Sequence, residues 1–295
     1  MRITEAMIFQ QTIERANAAL AKLARAQGEV SSGLRVQAPG DDPQAAGLLV
    51  RHRFDQVQIT AIQSGTQRAA EELNAADSAL GSLNTALARA QVLATQFGND
   101  TYSADNRATA AVEVDGLFKQ VLGSLNTRFA DRYIFGGYSD NQAPFGGDGA
   151  YHGDTGVRQV EVAPGVYEDA SVRADIMAKG VGGGVDILQA LTSLSAALRA
   201  NDGNAIRASL DGLQAGSNQV SAAQSQVGTS VNIFTSTANS CALQITDEKK
   251  VIGVLGDADV MDASTRLSLA QYALNATLTA ASQTLNFSLV NLLNK

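Results

Sequence analysis

The chain has 295 residues, with 22 Lys and Arg against 29 Asp and Glu, one cysteine, two histidines, four prolines and no tryptophan. One cysteine excludes an internal disulfide framework and any cysteine-based zinc or iron–sulfur site, and two histidines leave little for histidine-based acid–base or metal chemistry. A net charge of −7 argues against nucleic acid and anionic membrane surfaces as partners, and no apolar run is long enough to span a bilayer.

Proline sits only at 39, 43, 144 and 164, so 44–143 and 165–295 carry no helix breaker. Aromatics at 5% against hydrophobics at 45%, much of it Ala and Leu, suit helices packed along thin seams rather than a thick globular core. The first element shows Ile13, Ala16, Leu20, Leu23, Gln27, Val30 and Leu34 at alternating spacings of three and four, an a/d seam with one polar member. Asp42-Pro43 signals a new helix, with Asp as cap and Pro in the first turn. A second seam, Leu73, Ala76, Leu80, Leu83, Leu87, Ala90, Ala94 and Phe97, carries that helix to Phe97. At 1.5 Å per residue it spans ~80 Å. Asn99, Asp100 and Ser103 mark a turn, and a third helix is predicted over 103–132, burying Val114, Phe118, Val121, Leu125 and Phe129.

The centre changes character. From Gly136 to Gly184 the chain is glycine-rich and acidic, with three basic and seven acidic residues. Val160-Glu161-Val162 alternates before a Pro164-Gly165 turn, and 166–176 is predicted as the return strand, so 136–184 reads as a small β-rich insertion closed by Gly182-Gly183-Gly184. Helical periods then resume from Asp186 through Leu188, Leu191, Leu194 and Leu198, ending near Asn201-Asp202-Gly203. A seven-residue repeat follows at Leu213, Val220, Val227, Phe234 and Cys241, and Leu267, Gln271, Leu274, Leu278, Ala281, Leu285, Ser288 and Leu292 form a closing seam.

These elements predict a mainly α fold: an elongated antiparallel helical bundle or coiled coil built from the N- and C-terminal halves, with a small β-rich central insertion. The expected domains are 1–42 with 257–295, 43–135 with 185–256, and 136–184. Thin a/d seams leave apolar stripe wet when helices pair alone, so other copies of the chain are expected as partners. Ile13, Leu20, Leu23, Val30, Leu267, Leu274, Leu278, Leu285 and Leu292 are the candidate subunit-packing residues.

Chemistry-bearing motifs are few. Asp41 and Asp42 read as helix capping rather than a metal pair. His52, between Arg51 and Arg53, reads as part of a solvated helical face, and His152 as surface. Cys241 falls on the heptad position after Phe234 and reads as a small packing residue. Gly146-Gly147-Asp148-Gly149 resembles a calcium-binding repeat, but Tyr151 stands where an Asp is needed, leaving a polar turn. No phosphate loop or nucleophile elbow is present. No enzyme activity and no cofactor are expected.

The loop Ser31-Ser32-Gly33-Leu34-Arg35 followed by Pro39, Asp41, Asp42, Pro43 and small residues resembles the signature near the start of the bacterial flagellin family, with Gly33, Arg35, Pro39, Asp41, Asp42 and Pro43 as its members. Arg2-Ile3-Thr4, Arg132-Tyr133-Ile134-Phe135-Gly136-Gly137-Tyr138 with Pro144-Phe145, and the closing 285–293 segment are similar to that family in the same order. After the second seam Arg89 matches the family's pattern, while Gln91 and Val92 replace its usual Arg and Glu, so receptor contacts known for flagellins are not carried over. The resemblance implies a structural axial component of the bacterial flagellum, joining hook to filament, with the main filament subunit as the alternative. It also implies a hook-associated protein, flagellin and an export chaperone as partners. Export would run through the flagellar secretion apparatus to an extracellular organelle, without a cleaved signal peptide.

Overall fold

The structure, a computed structural model, describes the backbone of residues 5–293, with side chains described over 10–283. It is mainly helical. Helices α1 (Glu5–Ser32), α2 (Pro43–Phe97) and α3 (Ala104–Leu125) come first. Two small hairpins follow: β1 (Arg128–Phe129) with β2 (Arg132–Tyr133), and β3 (Gln159–Ala163) with β4 (Val166–Asp169), both antiparallel. The chain continues through α4 (Ala174–Met177), α5 (Ile187–Arg199), α6 (Gly203–Gly256) and α7 (Val260–Leu293). It divides into two compact units, Met1–Gln58 with Gln244–Lys295, and Ile59–Leu243, and the long helices α2 and α6 contribute to both.

The larger unit, 59–243, holds the main core. The second predicted seam is buried from Leu73 to Ala94, with Phe97 partly buried at its end, and the heptad from Leu213 to Cys241 is buried throughout. A second stripe on α2, with Ala69, Ala79, Ala86 and Leu93, is also buried, so this helix offers neighbours on two sides more than an a/d seam provides. Asn84 donates to Gln224 Oε1 at 3.2 Å and Gln91 to the Leu213 carbonyl at 3.2 Å, a register in which α2 and α6 run antiparallel. Helix α5 packs on α3, where Ser195 donates to Asp115 at 2.6 Å and Arg199 pairs with the same carboxylate. Those two partners hold the Asp115 carboxyl below its ordinary range, the Ser195 hydroxyl first.

Two predicted elements end earlier than expected. The third helix stops at Leu125, not 132, because the next residue is recruited by distant backbone. The Asn126 amide donates to the Phe145 carbonyl at 2.9 Å while its oxygen accepts from the Phe145 N–H at 3.0 Å. This imitates a strand pair and diverts the chain into β1. The return strand ends at Asp169, and 174–177 form a helical turn that brings Ala174, Met177 and Ala178 into the core at helical spacing. Ile134, Phe135 and Phe145 are buried in the same core. Buried Glu72 on α2 pairs with both Arg132 and Arg158, fastening the hairpin region to the helix.

Arg107 is the polar keystone of this unit. It is 4% exposed and donates to the carbonyls of Phe97, Asn99 and Asn201, each at 3.0 Å, and to Asn201 Oδ1 at 2.7 Å. Its guanidinium thereby satisfies carbonyls left open where α2 ends and where α5 turns into α6. Arg107→Leu is predicted to destabilise the protein by at least ~3 kcal/mol in urea denaturation, since several charge-assisted hydrogen bonds are lost together. Arg107→Lys should recover little of that loss, lacking the planar fork.

Candidate subunit-packing site

In the smaller unit α1 packs along α7. The side of α1 that is buried or half-buried holds Thr12, Ala16, Ala19, Leu23, Ala26, Gly28 and Glu29. On α7 it is Ala263, Leu267, Ala270, Leu274, Thr277 and Ala281, a run of alternating four and three. The contact is therefore mostly alanine. Small side chains bring the helix backbones close but bury little apolar area each.

The expected seam of α1 is consequently rotated. Ile13 is 44% exposed, Leu20 49% and Val30 37%, whereas Leu23 is half-buried. Sequence pattern favoured the large residues, but one partner helix covers one stripe, and the alanine stripe is the one covered. On α7, Leu267 and Leu274 lie in the covered run while Leu278 is 50% exposed, beside exposed Leu269 and Tyr272. Leu285 and Leu292 lie outside the described side chains. The structure thus divides the candidate packing residues into a half-buried set that holds α1 to α7 and an exposed set on the outside of both helices.

The signature loop is built by its own chemistry. Gly33 ends α1 with φ at +70°, a conformation that costs a side-chain-bearing residue. Its carbonyl accepts from the Ala258 N–H at 2.8 Å, the Arg35 N–H donates to the Gly256 carbonyl at 2.8 Å, and Leu34 and Asp257 form an antiparallel bridge. The turn after α1 is thereby paired to the turn before α7. The Arg35 guanidinium donates to the Leu255 carbonyl at 2.7 Å and to Asp42 at 3.1 Å. Asp42 caps α2 by accepting from the Ala45 N–H at 3.0 Å, with Pro43 opening the helix. Asp41 accepts from the N–H groups of Ala38 and Gln37 at 2.9 and 3.1 Å and pairs with Arg25 at 3.1 Å, closing the turn that contains exposed Pro39. Backbone donation holds both carboxyls below their ordinary value of 3.8. Under the loop, Val36, Ala45 and Leu49 pack with Ile252 and Leu255.

Sequence reasoning missed Glu29 and Arg266. Glu29 is 5% exposed and pairs with Arg266 at 3.0 Å, an ionic link between α1 and α7 that has no signature in a single helix. His52 was expected on a solvated face; instead its Nδ1 lies 2.8 Å from Glu248 on α6. Cys241 is buried, and burial pushes its thiol upward, consistent with a packing role. Asp148 accepts from the Ala150 N–H at 3.0 Å within a tight turn.

Comparison with known proteins places this architecture. Residues 3–140 match the bacterial flagellin N-terminal helical region and 210–293 the bacterial flagellin C-terminal helical region. The chain belongs to the bacterial flagellin family, a class of structural proteins rather than enzymes. It is 32% identical over 155 residues to the flagellar hook-associated protein 3 of Salmonella typhimurium, covering 52% of this chain and 49% of that one. It is 33% identical over 146 residues to the protein of the same name in Escherichia coli, covering 49% and 46%. The chain thus spans about half the length of the curated relatives it matches. Among solved structures, the crystal structure of Bacillus cereus FlgL matches its fold with a TM-score of 0.60 and 22% identity, covering 69% of this chain and 99% of that one.

Two outcomes test the loop. Gly33→Val should cost roughly 1–2 kcal/mol in equilibrium unfolding, from the positive φ rather than from crowding, because a Cβ there meets nothing within 4 Å. The stabilisation from Asp41 and Asp42 should be complete above about pH 3.8 and lost as pH falls through their lowered values. An Asp42→Ala variant should therefore be less stable than the parent at neutral pH, and the gap should narrow as the solution is acidified below that value. Circular dichroism melts over pH 2–7 check it.

Proposed function

We propose that this chain is a structural component of the flagellar axis that joins hook to filament, acting by subunit packing. The observation that carries the reading is the exposed apolar set on both terminal helices: Ile13, Leu20 and Val30 on α1 with Leu269, Tyr272 and Leu278 on α7. A helix that has already buried one stripe gains nothing from large apolar side chains on its outer face until other chains cover them. Family membership supplies the setting, and the matches to hook-associated protein 3 favour the junction over the main filament.

In this proposal the packing segments are 1–42 and 257–295, whose neighbours are copies of the chain, a hook-associated protein on one side and flagellin on the other. The 43–135 and 185–256 segments form the helical body, and the acidic 136–184 segment, anchored in its core by Phe145, Ala174 and Met177, turns its remaining surface to solvent. The chain leaves the cell through the flagellar secretion apparatus, escorted by a chaperone. Few bulky aromatics and an alanine-rich terminal contact favour a chain held unfolded before assembly.

The test is a deletion strain of the source bacterium. Loss of a junction protein predicts bare hooks on the cell and flagellin monomers in the medium. Loss of flagellin itself predicts no flagellin in either place, which would transfer the chain to the main filament. Leu20→Ala should change the stability of the free protein by less than ~0.5 kcal/mol, being half exposed there. In complementation it should nevertheless reduce swimming and the fraction of hooks that bear filaments. Normal filament counts with Leu20→Asp would contradict the packing role.

A further inference from the structure

His52 and Asp55 lie three residues apart on α2, the spacing that puts two side chains on one helical face. Glu248 approaches them from α6, and one ligand atom from each of the three falls within 4.8 Å of the others. All three are half-buried. His52 and Glu248 are already in contact at 2.8 Å through Nδ1 and Oε2. Asp55 differs: its carboxylate has neither hydrogen-bond nor ion-pair partner among the described residues, although it is partly withdrawn from water beside the other two. A cation would satisfy all three at once. The flanking cations Arg51, Arg53, Lys249 and Lys250 are all exposed, so none of them fills that role.

We propose that His52, Asp55 and Glu248 bind one divalent transition-metal ion, zinc by the chemistry of the donors, and that the ion clamps α2 to α6. A neutral imidazole and two carboxylates balance a double positive charge. An imidazole donor favours zinc over magnesium or calcium, and the absence of thiolate disfavours copper(I). Donor atoms around a four-coordinate zinc lie roughly 3.3 Å apart, so small side-chain rotations close the present arrangement, with water as the fourth ligand. An i, i+3 pair of carboxylate and histidine on one helix, facing a carboxylate on another, is a donor arrangement that ferritin-like bundles use for iron and manganese. Binding through Nδ1 would replace the His52–Glu248 hydrogen bond, with the imidazole N–H carried on Nε2, and give Asp55 its partner. The site is separate from the exposed packing face and does not rest on where the chain assembles.

The experiment uses the full chain without an affinity tag, dialysed against chelator and then titrated with zinc chloride by calorimetry, with thermal melts in parallel. One zinc per chain and a rise in melting temperature are expected, because an ion that binds only the folded state stabilises it. Asp55→Asn is the decisive variant, since it breaks no hydrogen bond of the metal-free protein. It and His52→Ala should each weaken zinc binding by more than about tenfold and remove the zinc-dependent rise in melting temperature. His152→Ala, at an exposed histidine, should change neither. Zinc binding unchanged in Asp55→Asn and His52→Ala, or no zinc-dependent rise in the parent, would overturn the proposal. Equal stabilisation by calcium chloride would overturn the assignment to a transition metal.

Discussion

The pairing of two turns is the constraint on which the smaller unit depends. Residues 33–36 follow α1 and 256–258 precede α7, and two backbone hydrogen bonds bind them, Ala258 to Gly33 and Arg35 to Gly256, which together make the Leu34–Asp257 bridge. Both chain reversals are thereby fixed in one place. The direction in which α1 and α7 leave the joint follows from that, as does the alanine contact they make. Gly33 suits the joint because it ends α1 at a positive φ without strain while its carbonyl accepts from Ala258. Arg35 reinforces the joint by holding the Leu255 carbonyl with one nitrogen and the α2 cap, Asp42, with another. A single guanidinium thus ties the end of α6 to the start of α2.

That joint lets the terminal helices separate two tasks. Contact between α1 and α7 uses small residues and one buried ionic link, Glu29 to Arg266, so it fixes register while burying little apolar area. The larger apolar residues are left outside. In an isolated domain this is poor economy, since leucine buried rather than exposed contributes about 1.5–3 kcal/mol. Under the proposed packing role the arrangement has a use, because free energy withheld from the monomer becomes available to an assembly. The larger unit follows the opposite rule: α2 is buried on two stripes, and Arg107, Glu72 and Asp115 are each fully engaged by partners within it.

Much of the larger unit was legible in the sequence. Leu73 to Phe97 and Leu213 to Cys241 repeat large apolar residues at strict spacing, and such a pattern has one helical solution. The start of α2 was legible because Asp42-Pro43 is local chemistry. The face of α1 was legible only in part, at Ala16 and Leu23, because Ala19 and Ala26 are as compatible with a buried stripe as with a wet one, and the larger residues drew the seam to themselves. The end of α3 was hidden for a different reason. Asn126 stops the helix by pairing with Phe145, nineteen residues on, and no local propensity encodes that contact. Arg107, Glu29 and His52 were invisible as anything but surface charge, since the groups that bury or pair them come from other helices. For the candidate packing residues, residue type marked the two terminal helices, and only the structure separated inward residues from outward ones.

The central claim is that the terminal helices hold their large apolar residues for other chains. Hydroxyl-radical footprinting read by mass spectrometry measures this directly, comparing the free protein with purified flagella. The account predicts that Leu20, Tyr272 and Leu278 are modified in the free chain and protected in flagella, while Leu83, buried in the core, is protected in both. Equal modification of those three residues before and after assembly would contradict it.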